Sequence, residues 1–420
     1  WLALGLFAGT YLNWRILAAR LRSFSEHYGN ALTIPEYLAN RFSDPHGLLR
    51  GLSALVILLF FLFYTSSGLV AGGKLFESVF GLRYEYAVAA GALAVIAYTA
   101  VGGFLAVSWT DVAQGLLMAA ALVAVPLMAF EPDGGVGSTW HAIGQLNPEL
   151  TNPLTDKSGQ LLGLVSIASL LAWGLGYFGQ PHILARFQAV QALGDLPRAR
   201  RIALTWVGLT LVAAVLVGLS GIPRLAPPLT GAETEKVFIH LVSLLFHPVI
   251  AGICLAAILA AIMSTADSQL LVASSAFTED FYRTLLRPRA GARELVRVGR
   301  LAVVTVAALA FGFALDPHSK VLDLVAYAWA GFAAAFGPTL ILSLHWSRMT
   351  HRGAMAGVLV GGATVVVWKQ LTGGWFDVYE ILPGFVCSCL ATVVVSLLDR
   401  KPDASQRRAF EQAKGKVTGY

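Results

Sequence analysis

Eleven apolar segments, each about long enough to cross a bilayer as a helix, follow one another along this chain. A membrane-spanning helix needs about 20 mostly apolar residues. Of the 420 residues, 56% are hydrophobic and only 13% are charged, which excludes an ordinary soluble globular protein. The sequence therefore predicts an all-α polytopic membrane protein, with spans near residues 1–19, 51–73, 84–103, 108–130, 161–182, 201–222, 240–278, 298–315, 322–345, 354–371 and 381–398.

The gaps between these segments are short and carry most of the charge, so we expect no separate soluble domain. We predict one transmembrane domain over residues 1–398 and a polar tail, forming a frayed helix, over 399–420. Trp1 lies inside the first apolar segment with neither Met nor a polar flank before it, unlike a signal peptide. We therefore expect that the true N-terminus is missing, and earlier helices with it.

The basic residues are concentrated on alternate connections between the segments. Such connections hold 23 of the 30 lysines and arginines; they are 14–50, 183–201, 279–300, 346–353 and the tail after 398. By the positive-inside rule this side is cytoplasmic, which predicts a cytoplasmic C-terminus. The net charge of +6 then reflects topology and contact with membrane lipids, and it does not call for a nucleic-acid partner.

Residues 251–280, AGICLAAILAAIMSTADSQLLVASSAFTED, place hydroxyls and a carboxylate in an otherwise apolar helix. Ala261, Ser264 and Thr265 stand at i, i+3 and i+4, so the Ala261 carbonyl and both hydroxyls can converge on one face. Na⁺ prefers oxygen ligands, and neutral ones bring no fixed charge into lipid. Alternatively, the hydroxyls bond back to helix carbonyls or serve as small packing residues.

Glycine and proline interrupt the span within 169–187, SLLAWGLGYFGQPHILARF, at about mid-depth. An interrupted membrane helix can leave backbone groups free to bind a substrate. Trp173 and Tyr177 are four residues apart, so on an α-helix they share a face and could offer aromatic surface and a phenol to a small amphipathic ligand. The alternative is that the glycines permit close helix packing and that the aromatic residues belong to the core or the interface belt.

Three further polar positions lie within apolar segments. Tyr64 is followed by Thr65, Ser66 and Ser67, a pattern that suits a substrate gate or, alternatively, polar contacts between helices. Intramembrane carboxylates are functional candidates. Asp111, near the cytoplasmic end of its span, either serves function or only caps the helix that begins there. Asp267 is predicted to line a watery cytoplasmic path.

The residue types that carry enzyme chemistry form no familiar constellation. The nine histidines are scattered, with no HExxH pattern, and no GxxxxGK[ST] phosphate loop is present. We predict that His182, beside Pro181, is a hydrogen-bonded structural residue. Cys254, Cys387 and Cys389 lie in apolar segments without zinc spacing or a disulfide framework. The sequence thus argues against an enzyme.

Several ordered motifs resemble the solute:sodium symporter family and, within it, the bacterial sodium/proline symporters. The similarity runs over essentially the whole chain. It is sharpest in NALTIPEYLANRF, SALVILLFFLFYTSSG, GGFLAVSWTD, LAWGLGYFGQPHILARF, LAAIMSTADSQLLVASSAFTED and YAWAGFAAAFGPTLILSLHWSRMTHRGAMAG. The resemblance implies about thirteen helices, ten of them in a five-plus-five inverted repeat of the LeuT type, with two core helices broken around the substrate.

By this resemblance, 161–190 is the second broken helix, with Trp173, Tyr177 and Pro181 at the substrate. Tyr64 matches an aromatic residue on the outer side of that site. Ala261, Ser264 and Thr265 match half of the sodium site, Asp111 matches an acidic residue tied to sodium coupling, and Asp267 matches a position that small residues also occupy. The family's first two helices, including the first broken one, are expected before Trp1. We therefore expect no transport from these 420 residues alone, and recovery with about 70–80 more.

The function implied is a secondary active transporter that imports L-proline with Na⁺ across the bacterial inner membrane by alternating access. Na⁺ is then a co-transported ion, and the protein's partners are its small-molecule substrate and membrane lipids. Three alternatives remain open: a Na⁺ symporter for another small amino or carboxylic acid, a transporter-like sensor module, and a membrane-embedded enzyme.

Overall fold

The computed structural model describes residues 1–101, 104–131 and 134–417, without the side chains of 96, 98–101 and 104–108. Within these residues the chain is helical, and its only β pairing is an isolated bridge between Thr155 and Leu161. The α-helices are α1 (Leu2–Asn13), α2 (Ala19–His27), α3 (Ile34–Phe42), α4 (Leu48–Phe80), α5 (Tyr84–Val101), α6 (Phe104–Phe130), α7 (Val136–Leu146), α8 (Leu164–Ala172), α9 (Pro181–Gln188), α10 (Leu196–Arg224), α11 (Val237–Leu245), α12 (Pro248–Ser275), α13 (Ala292–Ala314), α14 (Val321–His345), α15 (His351–Trp368), α16 (Ile381–Leu398) and α17 (Ala404–Gly415).

Several of these helices join into longer rods. A π-helical turn, Trp14–Ala18, links α1 to α2, and a second, Ala276–Leu286, extends α12. Among the described residues, eight helices are long and apolar enough to cross a membrane. The three other predicted segments overlap α5, α8 and α15. The polytopic all-α prediction is confirmed, whereas the count of eleven spans stays a prediction.

The predicted span 240–278 is wrong at both ends. Its first part belongs to α11, which ends at Leu245, because Pro248 lacks an N–H and disfavours helical backbone at the residue before it. His247 instead caps α12, its ring nitrogen accepting from the Val249 N–H. At the other end the helix continues through the π turn to Leu286, eight residues beyond the predicted end.

The basic connections gather at one end of the bundle, which we call the basic end. There Arg50 pairs with Asp280 at 2.7 Å, and the His351 ring lies 3.1 Å from Asp44. Arg20 donates to the Leu344 carbonyl at 2.9 Å. These contacts join the connections 14–50, 279–300 and 346–353, so the chain does cross the bundle between alternate connections.

The opposite end is held by a second set of ion pairs. Lys74 of α4 lies 2.6 Å from Glu235, which also accepts from the backbone N–H groups of Val321 and Leu322 at the start of α14. Burial raises the pKa of Glu235, but these hydrogen bonds outweigh it and hold the pKa below its usual value. The loop between α10 and α11 is thereby fixed to two core helices.

The tail is more ordered than its composition predicts. Over the described residues, α17 packs on α2, with Phe410 only 2% exposed and its ring 5.3 Å from that of Phe24. The Arg41 guanidinium lies 5.0 Å from the Phe410 ring centroid. The prediction of a frayed helix is wrong. Phe410 packs on the bundle, and a mostly polar composition gives no indication of this single contact.

Candidate substrate and cation site

The predicted interruption between α8 and α9 is confirmed. The α-helix ends at Ala172, residues Trp173–Phe178 form a 3₁₀-helix, and Gln180 is extended before α9 begins at Pro181. Pro181 suits the first position of a helix, where no N–H partner is needed. The bend therefore leaves backbone groups of residues 173–180 outside an α-helical ladder, inside an apolar bundle.

Glycine is required here by close approach of neighbouring helices. A Cβ at Gly174 would lie 2.2 Å from the Gly5 carbonyl oxygen of α1, and one at Gly179 would lie 2.1 Å from the Phe332 carbonyl oxygen of α14. At Gly176 it would lie 1.5 Å from the Trp329 indole nitrogen. The glycines therefore lie in an interrupted helix and also permit close helix packing, so the two interpretations of this segment hold together.

Trp329 of α14 and the side chain of Gln180 satisfy two of the freed backbone carbonyls. The Trp329 Nε1 donates to the Trp173 carbonyl at 2.8 Å. The buried Gln180 amide donates to the Gly176 carbonyl at 3.2 Å and to the Trp329 carbonyl at 3.3 Å. Since unsatisfied carbonyls are costly in a membrane, these bonds hold the interrupted turn in place.

An aromatic cluster surrounds Trp329. Tyr177 meets the indole edge-on at a centroid distance of 5.1 Å, and Tyr64 does so at 6.5 Å. Trp173 instead stacks on Tyr379 at 5.4 Å. The prediction that Trp173 and Tyr177 share a face is wrong, because residues four apart lie about 120° apart on a 3₁₀-helix.

The predicted cation ligands lie on α12. The Ser264 hydroxyl donates to the Ala261 carbonyl at 3.1 Å, which is the back-bond that the packing alternative describes. The same bond sets two oxygens side by side, as a cation would need. Ala261 and Thr265 line a cavity of about 260 Å³ between α4, α12 and α14, together with Tyr64 and Gln269. One cavity therefore joins candidates for the cation and for the substrate.

Pro181 opens onto a different cavity. This space of about 370 Å³ lies toward the basic end and is lined mainly by apolar residues of α3, α4, α9 and α12, with Thr33, Gln188 and Ser275 as its polar members. The two cavities share no lining residue. The structure thus brings Tyr64 and Tyr177 together around Trp329, while Pro181 faces toward the basic end.

The two predicted carboxylates have different surroundings. Asp111 lies well inside α6, so the helix-cap alternative is wrong; its Oδ2 pairs with Arg186 of α9 at 2.9 Å. Arg186 also donates to the Ser268 hydroxyl of α12 at 3.0 Å. Asp267 is fully buried in this conformation, and the prediction that it lines a watery cytoplasmic path stays a prediction. Residues 102 and 103, which begin the GGFLAVSWTD motif, lie outside the described residues.

Several residues that shape the site were missed. Trp329 and Tyr379 could not be recognised as site residues from the sequence, because their partners lie far away in the chain. Gln180, a polar residue beside a membrane proline, could have been singled out from sequence. His182 is predicted to be a hydrogen-bonded structural residue. Its Nδ1 is buried without a hydrogen-bond partner in the described part of the chain, and its ring packs on Tyr64 and Phe61.

Comparison with known proteins agrees with this architecture. Residues 1–361 match the model of the sodium:solute symporter family. The chain is 51% identical over 418 residues to the sodium/proline symporter of Escherichia coli K12, covering 98% of this chain and 82% of that protein. It is 48% identical over 412 residues to the high-affinity proline transporter PutP of Bacillus subtilis 168, covering 98% and 86%. A Na⁺-coupled sialic acid symporter, solved substrate-bound and outward-open, superposes with a TM-score of 0.75 at 18% identity over 96% of this chain and 84% of that one, which shows a common fold.

Proposed function

Because this chain belongs to the sodium:solute symporter family, we propose that it imports L-proline together with Na⁺ across the bacterial inner membrane. The observation that carries the proposal is the 51% identity over 418 residues to a protein named as a sodium/proline symporter. The geometry supports it, since an interrupted helix, an aromatic cluster and a row of neutral oxygens adjoin one another. The fold provides no comparable arrangement for a sensor output or a catalytic centre among its described residues.

In this proposal Tyr177, Tyr64 and Trp329 contact the apolar ring of the substrate. Its charged groups meet backbone groups of the interrupted turn, as in other discontinuous transporter helices. The Ala261 carbonyl and the hydroxyls of Ser264 and Thr265 bind Na⁺ beside them. Each ligand then improves the cavity for the other, which is positive coupling between the two binding free energies.

The driving force is sufficient for accumulation. One charge that moves through ~100 mV gains roughly 2.3 kcal/mol, which corresponds to about fifty-fold accumulation before the Na⁺ gradient is added. The proposed orientation places the basic end, with 23 of the 30 lysines and arginines in its connections, in the cytoplasm. The C-terminus is then cytoplasmic, and the cavity beside Pro181 faces inward.

We assign Asp111 and Asp267 to the inward path of the cation. Arg186 bridges Asp111 of α6 to Ser268 of α12, three residues beyond Thr265. A cation that leaves the hydroxyls toward the cytoplasm would meet these groups in turn. Asp267, buried in this conformation, would be reached only when α12 moves relative to its neighbours.

The function is tested by uptake of radiolabelled L-proline into proteoliposomes that contain the complete protein. We expect uptake when NaCl or LiCl is outside and none above protein-free vesicles when KCl replaces it. Unlabelled L-proline should compete fully, and other small amino and carboxylic acids should compete less. Equal uptake in KCl, or stronger competition by another acid, would contradict Na⁺ coupling or the assigned substrate, respectively.

A second experiment tests the aromatic surface. Tyr177→Ala and Tyr64→Ala should each raise the half-saturating L-proline concentration about 5- to 150-fold, since lost apolar contact costs about 1–3 kcal/mol. The half-saturating Na⁺ concentration should change much less. Tyr86→Ala, at a tyrosine that is 63% exposed, is the control and should change neither value. Unchanged L-proline dependence in both variants would place the substrate elsewhere.

A further inference from the structure

Two arginines at the basic end open onto a groove without an acidic partner. Arg198 and Arg201 form no ion pair or hydrogen bond with the described part of the chain, and both are exposed. Of the other arginines at this end, six have a carboxylate oxygen 2.7–3.7 Å from a guanidinium nitrogen, namely Arg22, Arg50, Arg186, Arg283, Arg287 and Arg352. The guanidinium groups of Arg198 and Arg201 are therefore available to an anion from outside the protein.

The groove itself, of about 510 Å³, runs down one face of α10. Arg198 and Arg201 are one turn apart, so both guanidinium groups can reach a single phosphate. Ile202, 62% exposed, and Leu209, 50% exposed, continue the same face toward the membrane interior. The groove thus has a positively charged end and an apolar face below it, which matches the anionic headgroup and the acyl chains of a phospholipid.

Trp206 forms the wall of this groove. A Cβ at Gly115 of α6 would lie 3.5 Å from the Trp206 ring, so the indole is seated against α6. Tryptophan prefers the level of the membrane interface. Basic pockets between membrane helices on the cytoplasmic side bind anionic lipid headgroups. The position of Trp206 thus sets Arg198 and Arg201 at headgroup depth.

We propose that this groove binds an anionic phospholipid, with its phosphate on Arg198 and Arg201 and an acyl chain along Ile202 and Leu209. A free phosphate would leave the apolar part of the groove uncovered, which favours the lipid over a soluble anion. Placing the lipid in the inner leaflet rests on the proposed orientation, but the binding itself does not depend on transport. Two basic residues near the surface correspond to about thirty-fold preference for an anionic headgroup.

The test uses fluorescence quenching by brominated lipid in vesicles. The protein is reconstituted in dioleoylphosphatidylcholine with increasing dibrominated phosphatidylglycerol or, in a parallel series, dibrominated phosphatidylcholine. The contribution of Trp206 is the difference between the wild type and Trp206→Phe. We expect Trp206 to be quenched at about thirty-fold lower mole fraction by the phosphatidylglycerol than by the phosphatidylcholine.

Variants make the result specific. The double variant Arg198→Gln/Arg201→Gln should abolish the preference, and Arg198→Lys/Arg201→Lys should keep most of it. The control is Arg407→Gln/Arg408→Gln, because these arginines line a groove of similar size, about 480 Å³, that contains the acidic Glu411 and no large apolar side chain. Equal quenching by both lipids, a preference that survives the first double variant, or an equal loss in the control would overturn the proposal.

Discussion

Replacing Gly176 with alanine should lower Na⁺-dependent L-proline uptake at least tenfold. The new Cβ would lie 1.5 Å from the Trp329 indole nitrogen and about 2.1 Å from the adjoining ring carbon. Trp329 would have to leave its seat, which breaks the hydrogen bond from its Nε1 to the Trp173 carbonyl. The interrupted turn would then hold a buried unsatisfied carbonyl, at a cost of about 1–3 kcal/mol in addition to the clash.

Gly218→Ala provides the matched control, because a Cβ at this glycine of α10 meets nothing within 4 Å. Uptake is compared at equal amounts of protein in the vesicles, and thermal unfolding in detergent shows whether the loss reflects folding. Trp329→Phe separates the two effects, since it removes the N–H donor while keeping an aromatic ring. Full uptake by Gly176→Ala would mean that the indole is not seated on this glycine.

The spans could be predicted because their signal is local. An apolar run of about 20 residues is sufficient evidence for a membrane helix, and the glycines and Pro181 marked the interrupted one. The end of α11 was missed, although Pro248 was present, because the apolar run continues across the break. Apolarity alone does not distinguish one long helix from two helices that meet at a proline.

The site was predicted less well than the fold, for two physical reasons. The first is local geometry: Trp173 and Tyr177 share a face only on an α-helix, and the structure has a 3₁₀-helix there. The second is distance along the chain. Trp329 stands 156 residues from the carbonyl that it binds, and Phe410 docks on a helix near the N-terminus. Such partners follow from packing, which a single sequence does not display.

The sequence allows two interpretations of the α12 hydroxyls, as Na⁺ ligands or as packing groups. The geometry is compatible with both. The Ser264 hydroxyl bonds back to the Ala261 carbonyl, as a packing residue would. Thr265, however, is exposed to the cavity that also holds Tyr64, where a cation could reach its hydroxyl. A measurement on the cation, rather than on stability, distinguishes the two interpretations.

Ser264→Ala and Thr265→Ala should each raise the half-saturating Na⁺ concentration for L-proline uptake by roughly ten- to hundred-fold. Each removes one of about five or six oxygen ligands, and a contact between a polar group and a charge contributes about 1.5–3 kcal/mol. Thr265→Ser should stay close to the wild type because it keeps the oxygen. Ser274→Ala is the control in the same helix: its hydroxyl donates to the Gly299 carbonyl at 2.9 Å, away from the cavity. If Ser264→Ala and Thr265→Ala retain the wild-type Na⁺ dependence, both hydroxyls are packing groups and the cation binds elsewhere.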